Sequence, residues 1–288
     1  MKSVNARGGL RIARWMAVVI LASHALAHAE IIRVGGTGAA GGIIRLLGAE
    51  FAKSHATDGV QFVDGLGSSG GLRALRDRAI QIAVVSRPLT ESESRGMMTT
   101  YVASTPLVLA VRKNTRARSV TSEQLARIYD GSMTAWPDGS VIRLILRPRD
   151  DIDTKLLAGM SPGIATAIES AYQRKGMIEA ATDDRAADLL EKTPGSLGPT
   201  TLGMILSESR DLAPLAIDGV EPSIRNLVEG KYRLFKVITM VTDPTSMNET
   251  TARFLKFTDT SAARAMLERT GHIVSTVRAP GPREPARK

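Results

Sequence analysis

Short apolar runs alternate with segments of helical spacing in the first third of the chain. The runs at 31–34, 60–63 and 80–85 have the length and β-branched content of buried strands. Between them, residues 43–51 and 72–79 carry apolar side chains at helical spacing. A βαβαβ order of this kind predicts an α/β fold with a parallel sheet and right-handed crossovers.

The alternation continues to the end of the folded part of the chain. Thr90 with Glu93 and Thr121 with Gln124 have the spacing of capping boxes, which open helices. Further strands are predicted at 105–111, 141–146, 212–217 and 232–242, and further helices at 163–175, 183–192, 246–258 and 260–270. A chain of this length exceeds the usual size of one hydrophobic core, so two domains are expected.

Three loops follow the first three strands, and the first two of them are rich in glycine. They span residues 36–38, 67–71 and 86–88. Loops at the carboxyl ends of parallel strands converge on one crevice. Their N–H groups and hydroxyls, with the helix dipoles behind them, are suited to hold a small anion, and Arg87 adds a charged donor. Glycine and serine also occur in such loops for backbone reasons alone.

Two other interpretations of these loops stay open. The glycines at 36, 38 and 41, with Asp64 ending the next strand, match a dinucleotide fingerprint. The segment 67–71 matches a nucleophile elbow, in which Ser69 would attack and His272 would act as the base. Asp218 or Asp243 would then orient His272. The alternatives are therefore an exported oxidoreductase and an exported serine hydrolase.

Metal and thiol chemistry find little support in the composition. The chain has no cysteine, which excludes disulfides and thiolate ligands. Two of its four histidines lie within the first 29 residues, and the other two, His55 and His272, are isolated. Asp150, Asp151 and Asp153 form an acidic cluster whose spacing fits no EF-hand, and a solvated loop is predicted there. No metal and no cofactor are expected.

The N-terminus has the features of an export signal. Four basic residues precede an apolar run at 15–27 that is too short to span a bilayer, and Ala27-His28-Ala29 is a small-x-small cleavage site. Residues 1–29 are therefore predicted to be a signal peptide, and the protein to be periplasmic. Much of the formal net charge of +9 lies in this signal and in a basic tail, 276–288, which is predicted to be disordered. Nucleic-acid binding is not expected, because the fold itself carries no basic stripe.

Four segments resemble a known family, the phosphate-binding-protein-like group of periplasmic solute-binding proteins, which are the receptors of phosphate ABC importers. Residues 36–38 resemble its first anion loop, and residues 67–75 resemble its Gly-Ser-Gly-x-Gly-x-x-Ala-Leu loop. Residues 86–89 resemble its Ser-Arg-Pro-Leu segment, and residues 121–136 resemble its stretch from Thr-x-Glu-Gln-Leu to a tryptophan. The likeness covers nearly the whole chain after the signal.

The resemblance implies a two-lobed periplasmic binding protein type II fold, each lobe a mostly parallel sheet flanked by helices. One lobe would be 30–106 plus 231–275 and the other 107–230, with hinges at the crossings. Where the family has Arg-x-x-Gly-Ser-Gly-Thr, residues 147–154 lack the glycines and serine and carry three acids. The implied ligand-binding residues are Thr37, Gly38, Ser68, Ser69, Ser86, Arg87, Arg147, Arg149 and Thr154.

The expected function is therefore non-catalytic. The protein is predicted to capture phosphate or a related small oxyanion in the periplasm and to deliver it to an ABC permease in the inner membrane. The serine hydrolase that uses Ser69 and His272 is the leading alternative.

Overall fold

The computed structural model describes residues 30–55 and 57–274. The predicted signal peptide and the predicted disordered tail lie outside the described residues. The strands are β1 Glu30–Gly36, β2 Asp58–Val63, β3 Ile82–Val85, β4 Met98–Arg112, β5 Ser119–Val120, β6 Arg143–Leu146, β7 Ile178–Glu179, β8 Ser196–Thr201, β9 Leu212–Pro214, β10 Ala216–Ile217 and β11 Phe235–Thr242. The α-helices are α1 Gly41–Ser54, α2 Gly67–Arg76, α3 Glu91–Ser94, α4 Ser122–Asp130, α5 Ile152–Ala158, α6 Pro162–Gln173, α7 Asp183–Lys192, α8 Leu202–Ser207, α9 Ile224–Val228, α10 Glu249–Thr258 and α11 Ser261–Arg269.

One large sheet runs through the molecule in the order β2-β1-β3-β11-β4-β8-β6-β7, and β9 also pairs with β4. The outer pairs, β1 with β2 and β3 and β6 with β7 and β8, are parallel. The central pairs, β11 with β3 and β4 and β4 with β8 and β9, are antiparallel. The predicted α/β class is confirmed, and the parallel pairing is concentrated at the flanks because β4 and β11 enter the middle antiparallel.

The long strand β4 joins two packing regions. Its first part, up to Pro106, pairs with β11, and its last part, from Leu107, pairs with β8 and β9. We call the region of β1–β3, β11, α1, α2, α10 and α11 the β1 side, and the region of β6–β9 and α4–α8 the β8 side. Each side has hydrophobic clusters of its own, centred for example on Phe51 in the one and Leu125 in the other.

Local sequence signals account for many helix boundaries. Thr90 accepts a hydrogen bond from the Glu93 amide, and the Glu93 carboxylate accepts one from the Thr90 amide in return. Thr121 and Gln124 form the same box at the start of α4. Both predicted capping boxes are confirmed. In the part of the chain that the structure describes, no helix is both long and apolar enough to cross a membrane.

Candidate anion-binding site

The first glycine-rich loop is held tightly against the end of β3. Gly36 has a φ of 143°, and a Cβ there would overlap the backbone of Val84. The Thr37 amide donates to the Val84 carbonyl at 2.8 Å. Only glycine permits this approach at residue 36, and the approach fixes Thr37 and the short 3₁₀ turn Gly38–Ala40 that leads into α1.

This loop holds an oxyanion, and that oxyanion is a carboxylate of the chain itself. The Thr37 hydroxyl donates to Asp183 Oδ2 at 2.8 Å, and the Ala39 amide donates to the same oxygen at 3.2 Å. Thr37 Oγ1 also lies 2.9 Å from Ser86 Oγ. Because the single Thr37 proton is used on Asp183, the Ser86 hydroxyl is the donor in that pair. Asp183 begins α7, so the contact joins the β8 side to the β1 side.

A buried charged cluster surrounds the other oxygen of Asp183. Lys236 Nζ lies 2.7 Å from Asp183 Oδ1 and 2.8 Å from Asp153 Oδ1. The Arg147 guanidinium lies 2.8 Å from Asp151, 3.4 Å from Asp153 and 3.7 Å from Asp183. The Lys236 and Asp153 side chains are each 1% exposed. Three carboxylates therefore meet two cations inside the protein.

The cluster separates the pKa values of its carboxyl groups. Burial acts to raise the pKa of Asp183, but the charges of Lys236 and Arg147, with hydrogen bonds from Lys236 and Thr37, hold it below its usual range. Full burial raises the pKa of Asp153 to about 6, since Asp183 and Asp151 oppose the attraction of Lys236. Burial acts to lower the pKa of Lys236, but Asp153 and Asp183 raise it above its usual value. Asp183 is thus the firmly ionised group, and it is the one that the loop holds.

The second glycine-rich loop joins the site in part. It forms the first turn of α2, where the Ser68 hydroxyl accepts from the Ser86 amide at 3.3 Å. Ser69 is exposed and accepts from Arg87 Nη2 at 2.9 Å. Arg87 is committed elsewhere, because both of its terminal nitrogens lie 2.7 Å from Glu93. The hydrogen bond and charge of Arg87 lower the pKa of Glu93 to about 2.

The predicted residues of the β8 side divide between the site and its surroundings. Arg147 is buried in the charged cluster, and its Nη1 donates to the Ala180 carbonyl at 2.7 Å. Thr154 lies behind it, 3.4 Å from the Arg147 carbonyl oxygen. Arg149 points away, pairing with Glu169 and stacking over Tyr172 at 4.4 Å. On the opposite side, Gly38 packs so closely on Asp184 that a Cβ would overlap its carboxylate.

The prediction of a solvated acidic loop at 150–153 is wrong for two of its three acids. Asp150 is exposed, but Asp151 caps α5 by accepting the Asp153 amide at 2.9 Å, and Asp153 is fully buried within the helix. The physical reason is the presence of Arg147 and Lys236, which provide the opposite charges that a buried carboxylate requires.

Sequence reasoning missed Asp183 and Lys236. Lys236 was visible as a lone charge in the strand Phe235–Thr242, but an isolated lysine on a strand is more often exposed. Asp183 follows the capping residue Thr182, where an acid has an ordinary role at a helix start. Neither position carries a local signal for the site, because the partners lie far apart along the chain.

The serine-hydrolase arrangement is not assembled. Within residues 30–55 and 57–274, no hydrogen bond joins Ser69 to His272, whose Nδ1 lies 3.2 Å from Thr270 Oγ1. His272 is fully buried, and desolvation lowers its pKa to about 4. Asp64, the candidate ribose acid, forms an ion pair with Arg45. Among the described residues, no group of three or more histidine, aspartate or glutamate side chains is arranged as a metal site.

The family model for the PBP superfamily domain matches residues 22–260. The chain belongs to this superfamily. A curated relative, the phosphate-binding protein PstS of Borreliella burgdorferi, is 22% identical over 251 residues, which are 85% of this chain and 90% of the relative.

Two solved structures show the same fold. One is a Clostridium perfringens protein assigned as a phosphate ABC transporter substrate-binding protein and solved with bound phosphate, with 15% identity and a TM-score of 0.70. The other is the periplasmic molybdate-binding protein of Azotobacter vinelandii, with 13% identity and a TM-score of 0.62. The match covers 85% of this chain and 100% of the other chain in both cases. At these identities the likeness is one of fold.

Proposed function

We propose that the protein is an exported, non-catalytic solute-binding protein that captures a small oxyanion, with phosphate as the first candidate, and delivers it to an ABC permease. The observation that carries this proposal is the pair of donors, Thr37 Oγ1 and Ala39 N–H, that converge on one oxygen of the Asp183 carboxylate. Two donors already positioned for an ionised oxygen do not need to reorganise to receive an oxygen of a phosphate.

Membership of the superfamily supports the role of a solute-binding protein, and the names of relatives indicate which solute to consider. The Borreliella burgdorferi relative is named a phosphate-binding protein, and the Azotobacter vinelandii neighbour binds molybdate. Phosphate and molybdate are both tetrahedral oxyanions. A tetrahedral oxyanion is therefore the ligand class to test.

The proposed site draws on both sides of the molecule. Thr37, Gly38, Ser68 and Ser86 would contact the ligand from the β1 side, and Arg147 would supply charge from the β8 side. Ser69 and Arg87 would border the opening, while Thr154 would support Arg147 from behind. Arg149 stands apart from this group, because its guanidinium is engaged by Glu169 and Tyr172.

The two sides would act as lobes that close on the ligand. In this proposal one lobe is 30–106 plus 231–275 and the other is 107–230. Two segments cross between them. One is β4 near Pro106, where its partner changes from β11 to β8, and the other is the chain around 231–234. Tyr232 supports the crossing, because its hydroxyl donates to the Leu107 carbonyl at 2.7 Å. Hinge closure of this kind needs few residues to change conformation.

The cellular setting belongs to the same proposal. The signal at 1–29 would send the chain to the periplasm, and cleavage after Ala29 would leave Glu30 as the first residue. A permease of the inner membrane would then receive the loaded protein.

Thermal unfolding in the presence of anions tests the function. The protein, freed of bound anions by unfolding and refolding, is heated with phosphate, sulfate, molybdate or organic phosphates. A ligand at about 100 times its Kd stabilises the folded state by about 2.7 kcal/mol. We expect at least one tetrahedral oxyanion to raise Tm by several degrees, and Ser86→Ala to reduce that rise. The absence of a shift with every anion would refute the proposal.

A further inference from the structure

The pocket formed by the first glycine-rich loop is occupied by a residue of the chain itself. Asp183 receives hydrogen bonds from Thr37 and Ala39 through Oδ2 and an ion pair from Lys236 through Oδ1. A carboxylate with two donors on one oxygen and a cation on the other is bound as a captured anion would be. Every one of these donors belongs to the β1 side, whereas Asp183 belongs to α7 of the β8 side.

We propose that Asp183 is a built-in ligand, which holds the cleft closed in the absence of solute and must be displaced before an external oxyanion can bind. This inference rests on the proposed function for the identity of the competing anion. That a residue of the chain fills the pocket follows from the contacts of Asp183 alone.

Displacement is feasible because of how the charges are distributed. With the Asp183 carboxylate withdrawn, Lys236 and Arg147 still face Asp151 and Asp153, so the rest of the cluster is balanced in charge. The Thr37 hydroxyl, the Ala39 amide and one side of the Lys236 ammonium then become free to hold another oxyanion. The same donors cannot hold both anions at once.

The consequence is a lowered apparent affinity. A protein whose binding-competent state is only partly populated binds with its intrinsic Kd divided by the competent fraction. Removing the built-in ligand raises that fraction. The carboxylate therefore raises the solute concentration at which half of the protein is loaded.

The test compares Asp183→Ala with a matched control, Asp184→Ala. The two residues are adjacent on α7, and each substitution removes one carboxylate from the surroundings of the loop. Asp184 packs against Gly38 but accepts no hydrogen bond from Thr37 or Ala39. Isothermal titration with inorganic phosphate should show at least about tenfold tighter binding for Asp183→Ala than for the wild type, while Asp184→Ala stays within about threefold.

Equal or weaker phosphate binding by Asp183→Ala would overturn the inference and leave the proposed function intact, since weaker binding would mean that the carboxylate takes part in capture. An equal gain for Asp184→Ala would also overturn it, because the effect would then be general electrostatics.

Formate provides a readout that does not depend on phosphate. Removing the Asp183 side chain leaves a space lined by the donors that held a carboxylate. We expect formate at tens of millimolar to raise the Tm of Asp183→Ala more than that of the wild type or Asp184→Ala. If no variant binds phosphate, phosphate fails as the ligand, but selective rescue by formate would still support the built-in ligand, and its absence would refute it.

If Asp183→Ala does not fold, the built-in ligand can be tested on the wild-type protein. Amide hydrogen exchange in a buffer without oxyanions should show a strongly protected Ala39 N–H, because that group donates to Asp183 in the empty protein. Rapid exchange at Ala39 would show that the pocket stands open, and would overturn the inference.

Discussion

The two sides of the Thr37–Asp183 contact, here called walls, differ in how they carry charge. The wall on the β1 side offers neutral donors, namely the Thr37 and Ser86 hydroxyls and the Ala39 amide, and a single cation, Lys236. The wall on the β8 side offers Arg147 together with three carboxylates. One wall donates hydrogen bonds to a carboxylate, and the other supplies that carboxylate.

The two walls also differ in how far apart in sequence the residues that form them lie. The neutral wall follows from the chain direction, since glycine-rich loops at the ends of parallel strands converge on one edge. The charged wall depends on contacts such as Thr37 with Asp183, which lie 146 residues apart in sequence. The following experiments test how far the walls depend on each other.

Lys236→Met should have the largest effect on stability. It removes a cation of the β1 side that pairs with two carboxylates of the β8 side. Asp153 and Asp183 would lose their nearest partner while remaining buried. Breaking a buried pair in this way typically costs about 3–5 kcal/mol of unfolding free energy, which urea denaturation measures. Lys231→Met is the control, since that lysine is exposed and pairs with Glu229 at the surface. Similar losses for the two variants would contradict the role given to Lys236.

The pH dependence of stability should reveal Asp153. Its folded pKa of about 6 lies above the value of about 3.9 expected in the unfolded chain, so between these pH values the folded state binds more protons. Stability contributed by this group is therefore lost as the pH rises from 4 through 6. Relative to Asp153→Asn, the wild type should lose about 2 kcal/mol between pH 4 and pH 7.

Paired urea denaturations of the wild type and Asp153→Asn at each pH isolate this effect. His272 titrates with the opposite sign in the same range, because its pKa is lowered to about 4, and it is common to both proteins. Parallel stability profiles would show that Asp153 does not carry a raised pKa.

Thr37→Val compares the two glycine-rich loops. The substitution removes the hydroxyl that donates to Asp183 and accepts from Ser86, and a lost buried hydrogen bond to a charged group costs about 1–3 kcal/mol. Ser69→Ala is the matched change in the second loop, where the hydroxyl is exposed. We expect Thr37→Val to lower both stability and anion-dependent stabilisation, and Ser69→Ala to change neither by much. A larger effect from Ser69→Ala would mean that the second loop is the principal contact.

Arg149→Ala should have the smallest effect. The guanidinium lies over Tyr172 and beside Glu169, outside the buried cluster. We expect the anion affinity to stay within about twofold of the wild type by isothermal titration, with little change in Tm. A strong loss of affinity would bring Arg149 into the site, as the family resemblance implied.

Most of the framework could be predicted from the sequence, because its signals are local. The alternation of strands and helices, both capping boxes and the α7 boundaries at Asp183 and Lys192 are readable within short windows. The strand β8 and helix α8, at 196–207, cannot be told apart in the sequence, since a short apolar run fits either element.

Only part of the site could be predicted from the sequence, because the rest depends on contacts between residues far apart in the chain. The positions of Thr37 and Ser86 follow from the loops that carry them. Asp153 could not be recognised as buried, because its burial depends on Lys236, which reaches it from a distant strand. A charged residue with no partner nearby in the sequence is predicted to be exposed to solvent, and only the fold reveals a distant partner.

Isothermal titration of the refolded wild-type protein with inorganic phosphate, in a buffer free of other oxyanions, tests the central claim most directly. The account predicts saturable binding of one phosphate per chain. In the Asp183→Ala background, where no carboxylate competes for the hydroxyl, Thr37→Val should weaken that binding at least about tenfold, as expected when a hydrogen bond to a charged group is lost. Binding that Thr37→Val leaves unchanged in that background, or no binding of phosphate, sulfate or molybdate, would contradict it.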